Sequence, residues 1–93
     1  MAIRSIMCCC GSGLGSSMIV SMNVERTLKK LGITGVSCEH TSLSEVNENT
    51  ADLFVVGKDL EPQVRNWKCK KIILNQLMDM VELETKIKEA FEL

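Results

Sequence analysis

The sequence predicts an α/β fold, a small open four-stranded parallel sheet joined through helices. Two observations lead there. Short apolar runs alternate with segments of helical periodicity along the whole chain, the pattern of strands joined by right-handed crossovers. A glycine- and serine-rich stretch follows the first apolar run directly, where a strand would hand over to a helix. The 93 residues fit one compact domain, 1–93, with no internal repeat, low-complexity segment or linker.

Residues 3–9 (IRSIMCC) are a mostly apolar run that stops at the glycines, and they read as the first strand. Ser16 or Ser17 then caps a helix whose apolar positions Val20, Val24, Leu28 and Leu31 recur at helical spacing. Glu25, Arg26, Lys29 and Lys30 take its other side, and Gly32 stands where a C-terminal cap belongs. The spacing places a second strand over about 34–38 (TGVSC), and the polar segment 43–50 reads as a short helix or a turn. DLFVVG, 52–57, has the apolar, β-branched character of a buried strand. Asp59 is positioned to cap a short helix from Leu60, where Pro62 is tolerated in the first turn. KKIIL, 70–74, is the fourth strand. A last helix over about 79–91 puts Met80, Leu83, Ile87 and Phe91 on one face, with Glu82–Lys86 and Glu84–Lys88 as i,i+4 pairs.

Composition excludes several classes. A formal net charge of −1 with 25% charged residues lacks the basic stripe of a nucleic-acid binder, and Phe54, Trp67 and Phe91 are too few for stacking platforms. Arg4 interrupts an N-terminal run too short for a secretory signal, and no stretch approaches transmembrane length. Five cysteines might suggest a disulfide scaffold, but Cys8, Cys9 and Cys10 are adjacent, Cys38 and Cys69 are isolated, and the number is odd. Reduced thiols in a cytoplasmic protein are the economical reading.

The stretch Cys10-Gly11-Ser12-Gly13-Leu14-Gly15-Ser16-Ser17 concentrates the chemistry. Alternating glycines let main-chain N–H groups close on an anion beside a helix N-terminus, and three serines offer further donors. A Walker A loop would need lysine after the last glycine, where Ser16 stands, and a dinucleotide fingerprint would need its third glycine one position later. The loop suits one phosphate-sized group. Cys10 opens it, and a thiol ringed by amide donors is stabilised as the nucleophilic thiolate. Cys8 and Cys9 fall on opposite faces of the strand and read as small buried hydrophobes; a vicinal disulfide is open to them, and a metal site lacks the usual ligand spacing.

This loop is similar to the C-x5-R-S/T loop of low-molecular-weight tyrosine phosphatases, with Ser16 in the arginine position. Loss of that bidentate cation favours holding a phosphoryl group for another acceptor over hydrolysing it. From Cys10 to Ile19 the sequence resembles the phosphocysteine loop of phosphotransferase-system (PTS) IIB components, most of all the ascorbate type of the lactose/cellobiose-like superfamily. The resemblance continues through MIVSMNVERTLKKLGI and, more loosely, ADLFVVG, KKIILNQL and the last helix. It implies one EIIB domain over 1–93, with sheet order 2-1-3-4, helices on both faces and a fold like that of the phosphatases. It implies that Cys10 accepts phosphate from a phosphohistidine of EIIA. Gly11, Ser12, Gly13, Leu14, Gly15, Ser16 and Ser17 would cradle the group, and a sugar imported by the membrane component EIIC would receive it. No cofactor or metal is implied, and the place of action would be cytoplasmic, at the inner face of the membrane through EIIC. The two cysteines directly before the acceptor depart from the usual family pattern.

Two other functions fit parts of the sequence: a small cysteine-dependent phosphatase or arsenate-reductase-like enzyme, and a thiol redox or metal-binding module using Cys8 to Cys10. Only the carrier explains the glycines and the missing arginine together. His40 reads as an exposed loop residue, Cys38 and Cys69 as structural or incidental. Met7, Met18, Met22, Met78 and Met80 read as core or interface filler, with Met18 and Ile19 beside the loop as docking residues.

Overall fold

The computed structural model describes residues 3–10, 14–76 and 79–92, with the backbone alone at Cys10 and at 14–17. Strand β1 is Ser5–Cys10, helix α1 Leu14–Lys30, β2 Ser37–Ser42, β3 Leu53–Gly57, α2 Glu61–Val64, β4 Lys70–Leu74 and α3 Met80–Ala90. Short 3-10 turns, Leu43–Glu45 and Lys58–Leu60, follow β2 and β3. The strands form one sheet in the order β2-β1-β3-β4, and every neighbouring pair is parallel. Architecture and strand order agree with expectation.

Side-chain alternation divides the interior into two layers. On one face Ile6 and Cys8 of β1, Leu53 and Val55 of β3, and Ile72 and Leu74 of β4 pack under α1 and α3, against Val20, Val24, Leu28, Leu83 and Ile87. On the other, Met7, Cys9, Phe54 and Val56 are covered by Leu43, Leu60 and Val64 from the short helical segments. Trp67 closes that layer, its ring edge-on to Phe54 with centroids 5.0 Å apart. Cys8 and Cys9 therefore occupy opposite layers and are both buried, as read from the sequence.

Helix α1 ends in a Schellman motif: Ile33 N–H donates to the Leu28 carbonyl at 2.9 Å and Gly32 N–H to that of Lys29 at 3.1 Å. Gly32 has φ +74°, a left-handed conformation that favours glycine. Asp79 caps α3, its carboxylate accepting from the N–H groups of Val81 and Glu82, each at 3.0 Å. Lys30 reaches Glu84 at 2.8 Å and ties the two helices together.

Several boundaries differ from expectation. Strand β1 occupies 5–10 rather than 3–9. Strand β2 lies at 37–42 rather than 34–38, because Gly35 turns with φ +77° and the ladder begins only where Ser37 N–H meets the Arg4 carbonyl. Helix α1 starts at Leu14, so Ser16 and Ser17 lie inside its first turn and do not cap it. The segment 43–50 is a 3-10 turn followed by a further turn. Asp59 does not cap either: it sits within Lys58–Leu60, and the residue preceding α2, Leu60, makes no side-chain cap bond. Leu83 and Ile87 are buried as predicted and Phe91 packs beside them, but Met80 is 40% exposed, since the apolar stripe meets the sheet only from Leu83 onward.

The sheet has two edges, β2 and β4. Around β4, Lys86 Nζ donates to the Ile73 carbonyl, Lys70 Nζ to that of Ala90, and Lys71 Nζ to that of Trp67. Among the described residues no helix is long and apolar enough to cross a membrane.

The contrast within α3 is testable. Leu83→Ala should cost about 2–5 kcal/mol of stability by opening a cavity between helix and sheet. Val81→Ala, at a position 76% exposed, should change stability by less than about 0.5 kcal/mol. Urea unfolding midpoints of the two variants measure both.

Candidate functional site

Strand β1 is an interior strand whose neighbours leave it in opposite directions: the chain passes from β1 to β2 on one side and returns to β3 on the other. The carboxyl ends of β1 and β3 therefore flank a topological switch point, the place where open α/β sheets bind ligands. Cys10 is the last residue of β1 and lies opposite Ser42, the last of β2. One step earlier Cys9 pairs with Val56, so β3 ends at Gly57 level with Cys10. Helix α1 begins four residues beyond Cys10, with Leu14, Gly15, Ser16 and Ser17 as its first turn. The main-chain N–H groups of a first turn have no intrahelical acceptor and stand at the positive end of the helix dipole.

Gly11, Ser12 and Gly13 lie outside the described residues, as do the side chains of Cys10, Ser16 and Ser17 and all of Met78. Around them, Ser42 Oγ and Ser44 Oγ are 3.0 Å apart, and Thr41 Oγ1 donates to Glu45 at 3.0 Å. Met18, Ile19 and Met22, on the exposed side of α1 just beyond the loop, are 47%, 42% and 48% accessible. Met18 and Met22, expected as core or interface filler, are thus surface residues. His40 is exposed as expected, though within β2 rather than in a loop. Among the described residues, no three or more of His, Cys, Asp and Glu converge as metal ligands would.

At the end of β4 the turn into α3 is held by Glu82. Its carboxylate accepts from Asn75 N–H and Gln76 N–H at 3.1 Å, from Asn75 Nδ2 at 2.8 Å and from Lys86 at 2.9 Å. Lys86, then the main-chain donors of Gln76 and Asn75, hold the Glu82 carboxyl at about 2, below its ordinary 4.5. Lys30 similarly lowers Glu84.

One grouping was not visible in the sequence. Cys38, on β2, lies 3.4 Å from Ser21 Oγ of α1, and its thiol donates to the Ser21 carbonyl at 3.5 Å, on the strand beside Cys8 of β1. No spacing announces it, because it depends on the register of β2 against β1. The Cys38 thiol is lowered from its ordinary value, by the Cys8 hydrogen bond first and with help from Ser21, against opposition from burial. Cys8 is raised far above the ordinary range, by the same bond and by burial. Cys69 is raised by burial.

A parallel sheet of this order, with a cysteine ending its interior strand just ahead of a helix N-terminus, is consistent with the IIB domains of sugar phosphotransferase systems. The model of the family "PTS system, Lactose/Cellobiose specific IIB subunit" matches residues 5–89, and the chain belongs to that family. It is 33% identical over 88 residues to the ascorbate-specific PTS system EIIB component of Mycoplasma pneumoniae, an alignment covering 91% of this chain and 87% of the relative. EIIB components are in general phosphotransferases that work with EIIA and EIIC partners.

The Glu82 arrangement has a pH signature. A carboxyl whose folded value is depressed contributes stability that is complete above 4.5 and is lost as pH falls toward 2. Glu82→Gln should therefore be less stable than the parent at neutral pH, and the gap should narrow through that acid window. Denaturant midpoints measured from pH 7 down to 2 give the result.

Proposed function

We propose that this chain is a single-domain EIIB carrier, residues 1–93, that takes a phosphoryl group onto Cys10 from a phosphohistidine of EIIA. It then passes the group to an ascorbate-like sugar entering through EIIC. The observation carrying this reading is the place of Cys10: the end of an interior strand, at the switch point, just before the first turn of α1. Membership of the lactose/cellobiose-type IIB family supports it. The ascorbate-specific relative supports the sugar class.

In this reading the Cys10 thiolate attacks phosphorus in line, an S–P bond forms and the N–P bond to histidine breaks. A sugar hydroxyl later attacks the same phosphorus, the S–P bond breaks, and the thiolate is restored. Little covalent work falls to the rest of the chain. It positions the group and presents dipoles, with the main chain from Gly11 to Ser17 as the cradle. Ser16 replaces the cation that a hydrolytic loop would use, so the phosphoryl group waits for its acceptor. Met18, Ile19 and Met22 offer an apolar rim against which EIIA and EIIC dock in turn. The domain acts in the cytoplasm, at the inner face of the membrane through EIIC.

Incubation with a phosphorylated EIIA donor should add one phosphoryl mass to the parent chain and to Cys8→Ala, and none to Cys10→Ser. A Cys10→Ser chain that still carried the label would overturn the reading. Against an aryl phosphate the parent chain should release at most about one equivalent of phenol, and sustained turnover would identify a phosphatase instead.

A further inference from the structure

The two edges of the sheet are unlike. Beside β4, Lys70, Lys71 and Lys86 each donate to a main-chain carbonyl, and charges of this kind keep an edge from pairing. Strand β2 has no such guard: Ser37–Ser42 holds no lysine, proline or bulge, and its register with β1 runs unbroken from Ser37 to Ser42. Among the described strands it has a neighbour on one side only. Ser37 N–H donates to the Arg4 carbonyl. In a parallel ladder this turns the main-chain groups of Ser37, Glu39 and Thr41 toward β1, and those of Cys38, His40 and Ser42 outward along the open edge.

That outward set is symmetric about His40. When two β2 strands lie antiparallel on a two-fold axis through His40, His40 of one copy faces His40 of the other, and Cys38 faces Ser42 at both ends. Each such pair exchanges two bonds, about six in all, and every outward group of the strand is used. Glu39 then faces Thr41. Centring the axis on Glu39 instead would set two carboxylates directly opposite and leave Ser42 unpaired. The axis stands perpendicular to the sheet, so α1 lies on the same side in both copies. Helix α1 rests on β2 through Ser21, whose hydroxyl and carbonyl oxygens are 3.4 and 3.5 Å from Cys38 Sγ. Met18, three residues before Ser21, shares that flank of the helix and is 47% exposed. Joining the edges turns the two Met18 flanks toward each other and takes apolar surface out of water.

We infer that β2 is a self-association edge: two copies of this chain pair antiparallel through Ser37–Ser42, about a two-fold axis at His40, and join two four-stranded sheets into one. The occupant is a second copy because the outward main-chain groups, the facing side chains and the Met18 flank all match themselves in one register, as a two-fold interface requires. The assembly is closed, since both β2 edges are consumed and the lysine-guarded β4 edges form its outer margins. The strands run in opposite directions, so the two Cys10 positions come to opposite ends of the joined sheet. Met18 also belongs to the apolar rim assigned above to EIIA and EIIC. Self-pairing and docking therefore compete for it, a consequence that rests on that reading.

Sedimentation equilibrium of the full chain, kept reduced so that no disulfide can link copies, tests the pairing without any phosphoryl transfer. The mass should rise from 10.3 kDa to twice that value with concentration, with the dimer dominant by about 1 mM. His40→Pro removes an N–H that points away from β1, a place where an edge strand accepts proline, and should raise the dimer Kd at least about tenfold. If that variant loses its circular dichroism spectrum, His40→Lys replaces it, setting like charges directly opposite and raising Kd several-fold. Met18→Glu should also weaken the dimer several-fold, whereas Val81→Glu, at an exposed position on α3, should leave it unchanged. A chain still monomeric at about 1 mM overturns the proposal and leaves the edge to a strand of another polypeptide. A dimer indifferent to the His40 and Met18 variants overturns it equally. The competition is read separately, as the dimer fraction with and without EIIA. If EIIA binds and the dimer fraction is unchanged, the competition fails and the pairing stands.

Discussion

Strand β1 is hydrogen-bonded along both edges and covered on both faces, and that double confinement positions the rest of the molecule. Its side chains alternate between the two interior layers, so a shift of one residue would exchange Ile6 and Cys8 with Met7 and Cys9. The two layers differ in shape. One faces a pair of full helices, and the other faces short turns and the edge-to-face rings of Phe54 and Trp67. Register along β1 is thus set by two dissimilar surfaces at once, and with it the point at which the strand stops. Cysteine suits this position: it is compact enough for a strand squeezed from both sides, and it brings no strongly polar atom that would demand a partner.

A strand held so firmly ends in a defined place, and the site is built on that ending. β1 delivers Cys10 between the ends of its two neighbours, and α1 starts almost at once. The helix is fixed in turn by its buried stripe, by the Schellman turn at Gly32 and by the Lys30–Glu84 bridge to α3. Its first turn is consequently held in one orientation by contacts made far down its length. In the reading proposed above, its main-chain dipoles would act on the phosphoryl group without reorganising.

The fold was legible where burial is local. Strand β4 occupies 70–74 as read from KKIIL, and β3 lies inside DLFVVG, because a run of β-branched residues bounded by polar ones has few other ways to hide its surface. Strand β2 was displaced because SCEHTS carries almost no apolar signal: it lies at the sheet's edge, several of its residues are exposed, and it is a strand only by virtue of bonding to β1. The sequence left Met18 and Met22 between core and interface for a related reason. Periodicity reports which residues share a helix face, and it is silent on how far a neighbouring element extends to cover that face. The Cys10 stretch offered itself as a candidate because its residues are consecutive, and Gly11 to Gly13 lie outside the described residues. The Cys38–Ser21 contact was not legible, because its members come from two elements whose relative phase only the folded chain sets.

The lysines around β4 bear on how many strands the sheet can hold. An edge strand ordinarily presents a template on which a second polypeptide can crystallise, in register, strand upon strand. Here an ammonium group already sits on the Ile73 carbonyl, and two more charges flank the approach. A newcomer would have to evict a cation and then lay its own backbone beside those that remain. Lys86 thus occupies one carbonyl of the fourth strand, and the charges of Lys70 and Lys71 beside it disfavour the pairing of another chain along this margin.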